Sequence, residues 1–186
     1  MIREYFQQQE PTDDYKQAVC RALVQFAEQI PQVSTLEQIG AWEPSIPHLT
    51  EVAKTLNPWL READLYTPYA RLGQFYWGQG LYGLAQPWYE LGREVCEKQL
   101  GTDHPSVATS LNNLAELYRA QGKYAEAEPL YRRSLSIYEK QLGADHPSVA
   151  TSLHNLGTLY YQQGNYPEAE NLISRCFKDF SAVSRQ

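Results

Sequence analysis

Long apolar runs are missing from this 186-residue sequence. Nowhere do the roughly eighteen or more consecutive apolar residues of a spanning helix occur, and the opening "MIREYFQQQEPTDD" has no apolar core of signal-peptide length. Membrane spanning and export are disfavoured, and a cytoplasmic location is the expectation. Basic charge is scarce as well. With 16 Lys and Arg against 22 Asp and Glu the formal net charge is −6, and neither the N-terminal third nor the remainder has a basic surplus. Partners held by phosphate neutralisation are therefore not expected, neither nucleic acid nor a membrane surface.

Cysteine is sparse and odd in number. Cys20, Cys96 and Cys176 are widely spaced and form no Cys-x-x-Cys, which suits reduced, buried thiols better than a disulfide framework or a zinc site. Also lacking are a Gly-x-x-x-x-Gly-Lys-Ser/Thr phosphate loop, a nucleophile elbow and a His-Glu-x-x-His helix. Scattered carboxylates such as Glu126 and Glu128 read as solvated helix surface. No catalytic residue, metal or cofactor is expected, and the chain reads as non-enzymatic. Its length allows one domain with its own core or a short array of stacked units.

What the chain does contain is repetition. "QLGTDHPSVATSLNNL" from Gln99 returns as "QLGADHPSVATSLHNL" from Gln141, an offset of 42 residues. The same offset aligns "YARLGQFYWGQGLYGLAQPWYELG" from Tyr69, "LNNLAELYRAQGKYAEAEPLYRRS" from Leu111 and "LHNLGTLYYQQGNYPEAENLISRC" from Leu153. Within the middle block, Leu111, Leu114, Ala115 and Tyr118 and then Tyr124, Ala127, Tyr131 and Leu135 fall at helical spacing on either side of Gly122. Each block predicts two amphipathic helices joined by a tight turn, with Gly80, Gly122 and Gly164 ending the first helix at positive φ. Gly73, Ala115 and Gly157 on the first helix, and Ala85, Ala127 and Ala169 on the second, mark where the pair comes close.

The pattern Leu-x-x-Leu-Ala/Gly-x-x-Tyr followed by Gly-x-Tyr-x-x-Ala-x-x-x-Tyr resembles the tetratricopeptide repeat, in the longer 42-residue form of kinesin light chains. The resemblance implies an all-α, right-handed superhelical solenoid of antiparallel helix pairs. The expected organisation is an N-terminal helical segment over 1–60, a degenerate leading helix pair, and three repeats over 61–186, at about 64–105, 106–147 and 148–186. Ile137 becomes Asp179 and Leu142 becomes Ser184 in the last unit, as a terminal cap requires. Phe177 and Phe180 remain apolar there.

Two apparent motifs have plainer readings. Asp103-His104-Pro105 and Asp145-His146-Pro147 look like metal ligands, but Asp or His as a helix cap with Pro in the first turn explains every residue type. "GQGLYG", with Gly78, Gly80 and Gly83, formally matches a dinucleotide fingerprint, yet it lies at a helix–helix turn and follows no strand.

Ahead of the repeats, Thr12 to Ile30 predicts one helix, with Thr12 and Asp13 as caps and Tyr15, Val19, Ala22, Leu23, Phe26 and Ile30 on its apolar face. "STLEQIGAW" and "SIPHLTEVAKTLNPWL" predict a short and a longer helix separated by Pro44, the second bounded near Pro58. Pro68 predicts a late start at Thr67, or a kink, in the first repeat. "MIREYF", "IPHLTEVAKTLNPWL" and "GLYGLAQPWYE" are together similar to bacterial signal-transduction NTPases of the NB-ARC class, whose repeats act as sensors. That similarity implies a sensor module separated from its motor.

The tetratricopeptide resemblance also implies a concave groove lined by the first helix of each unit. Carried over position by position, its residues are Ala70, Gln74 and Trp77; then Thr109, Asn112, Asn113, Glu116 and Arg119; then Thr151, His154, Asn155, Thr158 and Tyr161. Asn113 and Asn155 carry a donor and an acceptor on one amide, suited either to the backbone of an extended peptide or to tying neighbouring helices. Trp77 and Tyr161 offer flat anchors, and Arg119 offers a fork for a carboxylate. Lysines are missing from these positions, so a carboxylate clamp is not matched. A protein or peptide ligand is the expected partner, in a scaffold or signalling role. The rival expectation is a structural, self-associating protein, a homo-oligomer formed through end faces around Phe177 and Phe180.

Overall fold

The computed structural model describes residues 12–29 and 40–183, with side chains placed as far as Cys176. Among these residues all regular structure is helical and no strand occurs. The chain divides into two compact units, Met1–Val95 and Cys96–Gln186.

In the first unit α1 spans Asp13–Ala27, and the Thr12 hydroxyl caps it by accepting from the Tyr15 amide at 3.4 Å. The buried face differs from the predicted one. Cys20, Val24 and Ala27 are buried with Val19 and Leu23 half-buried beside them, whereas Tyr15, Ala22 and Phe26 are exposed; Ile30 lies outside the described residues. The cause is the neighbour against which α1 packs. Val52 and Leu56 form a core with Cys20, and the Cys20 thiol donates to the Leu56 carbonyl at 3.6 Å.

That neighbour is one nearly continuous helical stretch of changing pitch. A 3-10 turn at Glu43–Ser45 leads into α2, Ile46–Glu51, then a π-helical turn at Val52–Leu56 and a second 3-10 turn at Asn57–Trp59. Pro44 sits in the first turn of the 3-10 segment, where a missing N–H costs nothing; of the short helix predicted ahead of it, residues 40–42 are helical and the rest lies outside the described residues. The α register cannot run on through Pro58. An α register would require this residue to donate to the Lys54 carbonyl, and proline has no donor. Side chains complete the bonding. The Ala53 carbonyl accepts from the Tyr69 hydroxyl at 2.5 Å and from Asn57 Nδ2 at 3.0 Å.

Helix α3, Thr67–Gly78, begins at Thr67 with Pro68 in its first turn. Helix α4 spans Tyr82–Leu100. Between them the Gly80 amide donates to the Trp77 carbonyl at 2.9 Å and the Leu81 amide to Tyr76 at 3.0 Å, with Gly80 at φ 73°. This pair of bonds closes the helix in a Schellman turn, whose αL residue has to be free of Cβ strain.

The second unit repeats the device. Helices α5 (Pro105–Ala120) and α6 (Tyr124–Leu142) form one antiparallel pair, α7 (Pro147–Gln162) and α8 (Tyr166–Val183) the next, and α6 packs on α7. Gly122 (φ 73°) and Gly164 (φ 78°) close α5 and α7 with the same two bonds. At the helix starts the cap is histidine: His104 Nδ1 accepts the Ser106 amide and His146 Nδ1 the Ser148 amide, both at 3.1 Å. The Asp103 carboxylate instead pairs with Lys140, which holds its carboxyl below the usual range.

Close approach within a pair is enforced by small residues. A Cβ on Gly73 would lie 2.4 Å from the Tyr89 ring, and one on Gly157 would lie 3.0 Å from Ile173 Cγ1. Another crossing position escaped the sequence reading. In the second unit Ser134 donates to the Ala108 carbonyl at 2.7 Å and Cys176 to Ala150 at 3.5 Å. The equivalent residue in the first unit is Gly92, whose Cβ would meet Tyr69 Cβ at 2.6 Å.

Gly73→Ala drives a methyl into the Tyr89 ring, and urea unfolding should show a loss of about 1–3 kcal/mol, partly restored when Tyr89→Leu is added. Burial pushes the Cys20 thiol up to about 11; burial, and then the Glu97 charge, pushes Cys96 up to about 12. Unfolded thiols ionise from the ordinary value of 9.0. Stability is therefore full below that pH and falls as pH rises through it towards the folded values. Unfolding measured between pH 8 and 10.5 should show this decline, shallower in the Cys20→Ala/Cys96→Ala variant.

Candidate functional site

Residues three and four apart share one face of a helix. On α5 that rule aligns Thr109, Asn112, Asn113, Glu116 and Arg119; on α7 it aligns Thr151, His154, Asn155, Thr158 and Tyr161. Both helices belong to the second unit, which carries the candidate face. In the first unit Ala70, Gln74 and Trp77 are half-buried on α3. Gln74 accepts from Arg71 at 3.0 Å, and the Trp77 indole nitrogen is buried with no hydrogen-bond partner among the described residues.

The asparagines divide the work. Asn155 Nδ2 donates to Asn112 Oδ1 at 3.2 Å, tying α7 to α5. One amide–amide bond leaves the Asn155 oxygen and the Asn112 nitrogen without a further protein partner among the described residues. Asn113, in contrast, is already engaged within the protein.

Arg119 is committed too. It donates to Glu116 at 2.5 Å and to Gln162 Oε1 on α7 at 3.2 Å, while the Tyr131 hydroxyl donates to the other Glu116 oxygen at 3.2 Å. Burial works against the Arg119 charge, but the Glu116 hydrogen bond and charge outweigh it and hold the guanidinium above its ordinary value. Burial, followed by the Glu116 charge, pushes the Tyr131 hydroxyl upward, so it remains a neutral donor. The fork predicted for a ligand's carboxylate is thus occupied by an internal one, and the centre of the face is electrically balanced.

Thr109 bonds the Tyr138 hydroxyl at 2.7 Å and donates to the Pro105 carbonyl at 3.1 Å, and Thr151 donates to Pro147 at 3.1 Å. Thr158 is half-buried and His154 exposed. At the end of α7, Tyr161 is 62% exposed and stands edge-on to Tyr166, 60% exposed, with ring centroids 5.4 Å apart. Gln162 and Tyr166 were missed from sequence. Gln162 aligns with Ala120, so the repeat carries no signal for it, and Tyr166 aligns with Tyr124, which looks like a motif core position.

The side chains of Phe177 and Phe180, and the predicted cap at Asp179 and Ser184, lie outside the described residues. Among the described residues no three His, Cys, Asp or Glu side chains gather as a metal requires, and no helix is long and apolar enough to cross a membrane.

The chain matches the tetratricopeptide repeat family over residues 63–140 and 107–178. The leading 62 residues lie outside that span. No curated protein matches the chain. Among solved structures, BtubC (BKLC) from P. vanneervenii is 21% identical over 91% of this chain and 74% of its own, with a TM-score of 0.62. A putative kinesin light chain with nearly identical repeats from Podosopora anserina is 20% identical, covering 92% of this chain and 99% of its own, at a TM-score of 0.49. The first likeness shows the fold: helix pairs of this kind, built from a largely different sequence.

Glu116→Gln keeps the hydrogen-bonding shape around Arg119 and removes the balancing charge. Thermal or urea unfolding should show a loss of about 1–2 kcal/mol, and adding Arg119→Met should recover part of it.

Proposed function

As the chain belongs to the tetratricopeptide repeat family, whose repeats generally mediate protein–protein interaction, we propose that it is a non-enzymatic binding module whose α5–α7 face holds an extended segment of a partner protein. The observation that carries this reading is the Asn112–Asn155 pair. Its bond fixes both amides in orientation and leaves a donor and an acceptor open on a half-buried, polar strip. Such groups suit a peptide backbone, whose N–H and C=O groups repeat whatever the side chains.

The flanking residues define what such a segment looks like. Because Glu116 neutralises Arg119, the strip does not select for acidic ends. Tyr161 and Tyr166 present two exposed rings at one end, the kind of stiff, amphipathic surface that anchors interfaces. A largely uncharged extended segment with an apolar or aromatic residue over this pair fits best. A scaffold or sensor role in the cytoplasm follows as part of the same proposal.

Captured proteins from the native host should be compared by mass spectrometry between the wild-type chain and the Asn112→Ala/Asn155→Ala/Tyr161→Ala variant. Far-UV circular dichroism should stay helical while specific partners fall by at least about tenfold; retention of every partner by the variant rejects the face.

A further inference from the structure

The first unit holds an open cleft of about 340 Å³, lined by Lys54, Tyr76, Leu84, Pro87, Trp88 and Leu91. It belongs to no position of the peptide-binding face described above. Its walls are two aromatic rings and the aliphatic surface of Leu84, Pro87 and Leu91, and among the described residues the lining includes no carboxylate. Lys54 stands at the cleft on the π-helical turn, with its ammonium 5.3 Å from the centre of the Trp88 ring.

The repeats show that this apolar surface is particular to the first one. Leu84 stands where the second and third repeats carry Glu126 and Glu168, and Leu91 where they carry Arg133 and Arg175. In those repeats the arginines are covered by ion pairs, Arg133 with Glu97 at 2.8 Å and Arg175 with Glu139 at 2.5 Å. Here the equivalent surface is open, and Leu84 is 54% exposed. Apolar side chains substituted for charged ones on a solvent-facing helix cost solubility without adding to the core, which marks a site of contact.

We propose that this cleft binds a small amphipathic monocarboxylate, its alkyl or aryl tail lying among Tyr76, Leu84, Trp88 and Leu91 and its carboxylate meeting Lys54. Charge complementarity fixes the head group: among the described residues the lining offers one cation and no acidic group, in a chain of net charge −6. Volume fixes the tail. The cleft lies at the small end of the ligand-pocket range, which suits on the order of eight to ten carbons and is too small for a folded element of a protein.

The full chain should be titrated with hexanoate, octanoate and decanoate and with neutral octanamide, following the Trp88 indole resonance by NMR and the heat by calorimetry. Affinity should rise roughly threefold to fourfold per methylene between hexanoate and octanoate. Octanoate should exceed octanamide by about fivefold or more, and Lys54→Met should remove that preference while sparing octanamide. Leu84→Glu and Leu91→Arg install residues that the other repeats carry, so the fold is retained; each should weaken octanoate by at least about tenfold. Equal affinity for octanoate and octanamide, or unchanged binding in both leucine variants, overturns the proposal. A wild-type dimer in sedimentation that becomes monomeric with Leu91→Arg also overturns it, by assigning the face to a second copy.

Discussion

The structure depends on how closely two antiparallel helices can approach. In every pair Gly or Ala stands at a crossing point, and the ring of Tyr89 against Gly73 shows how little space remains. The turn glycines at φ 73° to 78° serve the same constraint from the other end, reversing the chain in three residues so that the two helices begin their contact at once. Burial of Leu111, Leu114, Leu117, Ala127 and Tyr131 follows from that geometry. Most polar residues are then left to the outer faces, with Ser110, Ser134 and Ser152 as buried exceptions.

Much of this was legible in the sequence because the second unit obeys one rule twice. Helical periodicity, a glycine at the break and a proline after the histidine located α5 through α8 and their starts, and the late start of α3 at Thr67 followed from Pro68. The first unit was harder. The rotated face of α1 is set by Val52 and Leu56 more than thirty residues away, and no periodicity within α1 distinguishes Cys20 and Val24 from Tyr15 and Phe26. The π-helical turn at Val52–Leu56 likewise has no periodicity signal, and Pro58 after it reads in sequence only as a helix end.

The candidate face was legible as a stripe but not as a set of bonds. Repeat alignment placed Asn112, Asn155, Arg119 and Tyr161 on it, yet which amide bonds which, and that Glu116 absorbs Arg119, depend on the spacing between α5 and α7. The repeat could not supply Gln162, because the residue in its place one unit earlier is Ala120. The architecture of such an array rests on the agreement between units, whereas the bonds on this face rest on their differences.

The histidine caps and glycine turns of the second unit share one property: each takes its bonds from residues within the same 42-residue stretch. A copied stretch consequently arrives with its own start and its own reversal, and owes its neighbours an apolar flank and a few polar bonds. Lengthening by unequal recombination between such near-identical segments would leave every hairpin intact. It would change the number of surfaces on offer, so evolution can revise reach separately from the ability to fold.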